Sequence, residues 1–271
     1  MKTDHNKNLK VHGGLRRRNI FKESKDKNPL ITIITVVKNN KKYFEETINS
    51  ILEQTYKNFE YIVIDGNSND GTLEVIKKYD NLNLIDYWIS EPDFGLYDAF
   101  NKGLNLARGD MIGFVNSDDI LLKDALKILV KYYNNYPDIN FVFGAVKKHW
   151  GVLYGYKPWK IYFTWGFYPS HSTGFFIKKE ASKIIGLYNL KYKLSADYDY
   201  FYRMIIKHKL KGIGTKKNEL FGIFRRGGFS SKQNFFEHTA ECTKIRLDNG
   251  QNKLMVLLTF ITKFIFNYRR F

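Results

Sequence analysis

Residues 30–37 read LITIITVV, and residues 60–65 read EYIVID. Neither run shows sustained polar alternation, which is the pattern of a strand covered on both faces. Between them Phe44, Ile48, Ile51 and Leu52 recur at helical spacing. Strand, helix and strand make one crossover unit, and the pattern continues outward from it. Leu73, Ile76 and Tyr79 predict a second helix, opened by turn residues at 66–71. A third strand is predicted at 84–89 (LIDYWI), a fourth at 111–115 (MIGFV) and a fifth at 140–146 (NFVFGAV). Leu96, Phe100, Leu104 and Ala107 mark a third helix, and Leu126, Leu129, Val130 and Tyr133 a fourth. Such alternation requires right-handed crossovers and a mostly parallel, Rossmann-like α/β sheet with helices on both faces. Ligands of these sheets bind outside the carboxyl ends of the strands. The positions of interest are therefore 36–38, 65–68, 90–93 and 116–119.

After residue 147 the pattern changes. Residues 149–170 are aromatic-rich without a period and predict a long loop holding Trp150, Trp159 and Trp165; aromatic faces often line sugar and nucleobase sites, and an aromatic-rich core is the alternative. A short strand is expected at 173–177, a helix marked by Tyr198, Phe201, Tyr202, Ile205 and Ile206, one or two strands within 210–224, and a helix over 235–247. Residues 254–266 (LMVLLTFITKFIF) are apolar except for Thr259, Thr262 and Lys263. Thirteen helical residues rise roughly 20 Å, too short to cross a bilayer. In a helix, Asn252, Thr259, Lys263 and Asn267 share one stripe. A broad apolar face beside basic residues suits an interfacial helix, and the alternatives are packing on the chain's own domain or on a second copy.

The 271 residues are 44% hydrophobic and 26% charged, which excludes disorder along the whole chain. The net charge is +17, which points to polyanionic partners: nucleic acid, an anionic membrane or phosphate-bearing substrates. Residues 1–28 carry nine basic and three acidic residues, and residues 251–271 carry four basic and none acidic. The first stretch is expected to be a solvated, flexible basic arm. Charge at the ends, with acids at the binding edge, argues against nucleic acid. The single cysteine, Cys242, allows no intrachain disulfide. With no signal-peptide pattern and no 18-residue apolar run, the expected location is cytoplasmic, peripheral at the inner face of the membrane.

Asp65, Asp93, Asp118 and Asp119 fall at successive strand ends. Acids gathered at one edge repel unless a cation holds them, and carboxylates with phosphate oxygens suit Mg²⁺ or Mn²⁺. Asp197 opens a helix, His171 is a candidate ligand or acid–base group, and Arg226 with Gly227 and Gly228 could wrap a diphosphate. No P-loop, G-x-G-x-x-G, nucleophile elbow or H-E-x-x-H is present, which disfavours the common NTPases, dinucleotide dehydrogenases, hydrolases and zinc proteases.

In order along the chain, ITIITVVKNN (31–40), TINSILEQTYKNFEYIVIDGNSNDGTLEVIKKY (47–79), SEPDFGLYDAFNKGLNLARGDMIGFVNSDD (90–119), LSADYDYFYRM (194–204) and RRGGFS (225–230) resemble segments of glycosyltransferase family 2. These are the inverting nucleotide-sugar transferases of the GT-A fold. The stretch 90–119 is similar to a branch associated with bacterial capsule, exopolysaccharide and lipopolysaccharide synthesis. The resemblance implies a catalytic domain over 29–230, with a nucleotide-sugar half (29–119) and an acceptor half (120–230), followed by C-terminal helices at 231–271. It places Val36, Lys38, Asp65, Asp93, Lys102 and Asp118 near the nucleotide, Asp119 on the metal and Asp197 as the catalytic base. Relatives often carry an aromatic residue at 38, a second acid at 66, Asp at 116 and Glu at 196, where this chain has Lys38, Gly66, Asn116 and Ala196. The expected partners are a nucleoside-diphosphate sugar, a lipid-linked glycan acceptor and an anionic membrane, with a homodimer possible through the last helix. A basic binding protein and a sugar-nucleotide nucleotidyltransferase are the alternatives; the latter usually carries a Gly-rich loop after the first strand, and positions 35–40 hold no Gly.

Overall fold

The computed structural model describes residues 10–163, 172–225, 227 and 234–267. In chain order the elements are β1 (Val11–Gly13), β2 (Ile31–Val37), α1 (Lys41–Leu52), β3 (Phe59–Asp65), α2 (Thr72–Asn81), β4 (Tyr87–Ser90), α3 (Leu96–Leu106), β5 (Met111–Phe114), β6 (Ile120–Leu121), α4 (Ala125–Asn135), β7 (Phe141–Phe143), β8 (Ala145–Lys148), β9 (Gly151–Leu153), β10 (Phe175–Lys178), α5 (Lys179–Ile185), α6 (Ala196–Tyr202), β11 (Gly212–Gly214), β12 (Leu220–Ile223), α7 (Phe235–Asp248) and α8 (Lys253–Asn267). The large sheet runs β1-β4-β3-β2-β5-β10-β7-β11, and a small sheet runs β6-β12-β8-β9. Strands β4, β3, β2 and β5 are parallel, as the apolar runs require. Every residue of β2 and β3 is buried. One core layer packs α1, α2 and α4 against the sheet, and the other packs α3, α5, α6 and α7. Register sets Val37 opposite Asp65 and Asp65 opposite Ser90, so three strand ends are level at one edge.

Three expectations change. The basic N-terminal stretch is not a free arm over its described part. β1 pairs antiparallel with β4, and Arg16 sits against the buried Glu60 carboxylate while donating to the Leu106 carbonyl at 2.7 Å. Glu60 also accepts from Thr32 and from the Arg108 backbone. A buried acid needs such a cation, so charge drew this segment inward rather than solvating it. The strand expected at 140–146 breaks at Gly144, with β7 in the large sheet and β8 in the small one. A Cβ there would overlap the Phe221 ring, so glycine permits the crossing. Third, the loop expected from 149 contains β9 and a 3-10 segment at Pro158–Phe163.

The last helix is turned with its polar stripe inward. Thr259 and Lys263 are 5% and 9% exposed, and Val256 is 2% exposed, where α8 packs on α7. Lys263 lies over the Phe235 ring, and burial lowers its ammonium below the ordinary lysine value. Leu254, Leu257, Leu258, Ile261, Phe264, Ile265 and Phe266 are all exposed, Phe266 by 76%. Among the described residues no helix is long and apolar enough to cross a membrane.

Candidate active site

Asp65 ends β3 with no exposed surface. Its Oδ1 accepts from Ser68 Oγ at 2.5 Å, and its Oδ2 accepts from Ser90 Oγ at 2.6 Å and from the Ser68 amide at 3.1 Å. The acid thereby fixes the turn after β3 to the end of β4. Val36, one residue before the end of β2, is buried beneath this edge. Lys38, just past it, is exposed and places Nζ 3.7 Å from Asp93 Oδ1. The Asp93 side chain is itself nearly buried and accepts from the Gly95 amide at 3.0 Å. A Cβ at Gly66 would overlap the Asp93 carboxylate. The Asp93 carboxylate occupies the space a side chain at 66 would take, and glycine at 66 makes the room. Lys102 ties the following loop together: it donates to the Pro92 carbonyl at 2.9 Å and pairs with Glu91 at 3.0 Å and Asp98 at 3.4 Å.

Beyond β5 the turn Asn116-Ser117-Asp118-Asp119 closes through the Asp119 amide, 3.0 Å from the Asn116 carbonyl. Asp119 is fully buried. Its Oδ2 accepts from Thr173 Oγ1 at 2.6 Å and its Oδ1 from the Arg225 amide at 3.3 Å. Asp118 is half-exposed. Asn116 donates to Ser172 Oγ at 2.8 Å, but its Oδ1 is buried and makes no hydrogen bond. An orphaned carbonyl oxygen beside two carboxylates is a hard-cation donor set. No group of three or more His, Cys, Asp or Glu side chains with metal-binding geometry occurs among the described residues. Burial lowers the Lys148 ammonium below the ordinary lysine value, and the Asp119 charge opposes part of that shift.

Asp197 stands in the first turn of α6 and is half-buried. Its Oδ1 accepts from Tyr97 Oη at 3.1 Å and from the Tyr198 amide at 2.9 Å. Tyr97 opens α3, the helix that follows the Asp93 loop, and stacks on Tyr188. Burial first, then the Asp197 charge, push its phenol well above the ordinary value, so it stays a donor. One hydroxyl therefore ties the start of α3 to Asp197 across a hundred residues. Sequence reading missed Tyr97, Thr173 and Lys148. Tyr97 lies inside the stretch quoted above, one residue past Leu96 of the helical spacing, and nothing in that pattern singles it out.

Trp150 and Trp159 are exposed by 60% and 56%. Trp165, His171 and Arg226 lie outside the described residues.

The profile of Glycosyl transferase family 2 matches residues 32–210. An uncharacterised glycosyltransferase of Methanocaldococcus jannaschii is 32% identical over 188 residues, 65% of each chain. The putative teichuronic acid biosynthesis glycosyltransferase TuaG of Bacillus subtilis is 35% identical over 100 residues, 36% of this chain and 40% of TuaG. The chain thus spans just under two thirds of the first of these relatives and less of the second. Among solved structures, S. aureus TarS 1–349 in complex with UDP superposes with a TM-score of 0.64 at 18% identity, covering 86% of this chain and 71% of that one. The mannosyltransferase PcManGT of Pyrobaculum calidifontis, in complex with GDP-Man and Mn²⁺, gives 0.64 at 16% identity, covering 87% and 69%. These likenesses establish the GT-A fold. A profile match across more than half of the chain, carried on that fold, means that this chain belongs to glycosyl transferase family 2.

Proposed function

We propose that the protein transfers a hexose or N-acetylhexosamine, with inversion, from a nucleoside-diphosphate sugar to a hydroxyl of a lipid-linked glycan in surface polysaccharide synthesis. The observation that supports this reading is the Tyr97–Asp197 bond, which ties the acid read as the base to the helix that follows the Asp93 loop. The acceptor hydroxyl is a poor nucleophile, and Asp197 accepts its proton as it attacks the anomeric carbon. One base on the face opposite the leaving group gives inversion without a covalent sugar–enzyme intermediate. Lys38 and Asp93 present a donor and an acceptor to the nucleobase, and Asp65 acts through Ser68 and Ser90 to hold that edge. Asp118, Asp119 and the Asn116 oxygen would hold Mn²⁺ or Mg²⁺, which when bound neutralises charge on the departing diphosphate. UDP is the favoured carrier, supported by the likeness to the UDP-bound TarS fold.

A thermal-shift panel tests the donor site. UDP, GDP, CMP and dTDP are each added with Mn²⁺ or with EDTA. One nucleoside diphosphate at a hundredfold its Kd stabilises the fold by about 2.7 kcal/mol, and EDTA removes the shift. If none of them gives a metal-dependent shift on folded protein, the reading is wrong.

The exposed face of α8 is assigned to an anionic bilayer. Residues 251–271 hold no acid to repel it. Gln251, just before α8, donates to the Tyr162 carbonyl at 3.0 Å. That bond ties the start of α8 to the segment that carries the exposed Trp159 and Phe163. Aromatic and basic residues beside an apolar helix face are what a membrane interface takes up. Leu257→Glu with Ile265→Glu adds two charges at exposed sites. We expect unchanged melting and at least about a tenfold loss of co-sedimentation with phosphatidylglycerol vesicles. A wild-type protein that ignores such vesicles and is dimeric by light scattering would assign the face to a second copy instead.

A further inference from the structure

The family profile ends at residue 210, and the helices beyond 231 read as an appendage. The structure ties one of them to the proposed base. Glu241 of α7 receives three backbone N–H groups on a single carboxylate: Ser195 at 2.6 Å and Leu194 at 2.8 Å on Oε1, and Lys193 at 2.9 Å on Oε2. These three residues lead directly into the turn of α6 that carries Asp197. Ser195 is the N-cap of α6, and its side chain makes no capping bond, so the backbone there is held from outside.

The same face of α7 grips both flanks of that segment. Asp248 accepts from Lys191 Nζ at 2.8 Å and from Tyr192 Oη at 2.7 Å. The buried Arg246 donates through Nε to Tyr198 Oη at 3.0 Å, and Asn249, the residue capping α7, donates to Asp199 Oδ1 at 2.9 Å. Positions 248 and 249 follow 241 by about two helical turns, so Glu241 and the end of α7 bear together on residues 191–199.

We propose that Glu241 is a positioning residue for Asp197, and that α7 is a working part of the transfer site rather than a tail behind it. Bonds from amides to an ionised carboxylate are short and roughly twice as strong as neutral ones. Tyr97 orients the Asp197 carboxylate from the donor side, and Glu241 fixes the backbone from which it projects. A base displaced by about 1 Å loses on the order of 10²-fold in rate. Removing the clamp therefore lowers turnover without touching the nucleotide, whose contacts lie in the other half of the chain.

This inference rests on the reading of Asp197 as the base, and the experiment separates the two. Glu241→Ala and Glu241→Gln are compared with wild type in the full chain; the Gln variant retains an acceptor oxygen and is the fallback where Ala fails to fold. Amide hydrogen exchange over 193–199 needs no substrate. We expect faster exchange there in Glu241→Ala, by about tenfold or more, and intermediate rates in Glu241→Gln. Nucleoside-diphosphate release from UDP-, GDP- and dTDP-hexoses, with water as the accepting hydroxyl, then reads the consequence. The expected result is a kcat loss of at least about 30-fold in Glu241→Ala at unchanged donor KM, with Glu241→Gln recovering part of it. In an Asp197→Asn background, Glu241→Ala should cost nothing further. Unchanged exchange overturns the clamp, and faster exchange with unchanged kcat overturns the positioning role. Asp197→Asn with wild-type turnover sinks the assignment of the base and leaves the exchange result to judge the clamp alone.

Discussion

Asp197→Asn is expected to lower sugar transfer by about 10²–10⁴-fold, the usual contribution of a positioned base, while the fold and nucleotide binding persist. The substitution keeps the side chain's size. An amide oxygen can still accept from Tyr97 Oη and the Tyr198 amide, the two bonds that hold Oδ1 in the wild type. What it removes is the ability to take a proton from the acceptor. The measurement pairs initial rates with the UDP-dependent thermal shift on the same preparation. A slow enzyme with an intact shift supports the assignment, and an enzyme within threefold of wild type refutes it. Tyr97→Phe is the companion. It deletes a donor that orients the carboxylate, so kcat should fall while the UDP-dependent thermal shift persists.

Asp119→Ala should fail in two ways at once. Asp119 is fully buried and accepts from Thr173 Oγ1 and the Arg225 amide. Deleting it strands both donors, at a cost of about 3 kcal/mol in stability. It also removes one of the two carboxylates proposed to hold the metal, so the Mn²⁺-dependent nucleotide shift should vanish. Asp118→Ala separates the effects. Asp118 is half-exposed, so its loss should abolish the metal-dependent shift with little change in melting temperature. Calorimetric melting of the two variants, with and without UDP and Mn²⁺, decides. A stable Asp119→Ala protein that still binds UDP in a metal-dependent way would remove Asp119 from the site.

The two variants differ because the paired acids have different surroundings, and that difference could not be read along the chain. An Asp-Asp pair at the end of a buried strand announces a ligand edge, since two adjacent carboxylates there need a cation or donors. Which of them is buried depends on Thr173 and Arg225, which approach from 54 and 106 residues away. The Gly66–Asp93 contact is similar. The missing acid at 66 was visible in the sequence, but what occupies that space was not, because Asp93 reaches it from the next strand's loop.

By itself the sequence determined the succession of β2 to β5 with their helices, a ligand edge at their carboxyl ends and the acids standing on it. Burial on both faces imposes a local pattern, and a local pattern survives in one dimension. The tertiary structure alone decided the rest. Arg16 is pulled onto Glu60 because a buried acid needs a counter-charge. Asp197 meets Tyr97, and Glu241 meets the backbone before Asp197, across separations of 100 and about 46 residues. The stripe of Thr259 and Lys263 on α8 is plain in the sequence, but an amphipathic pattern is satisfied by either orientation. The contact with α7 turned the polar stripe inward and left the apolar face outward, because helix period says which residues share a face and only the neighbour says which face is covered.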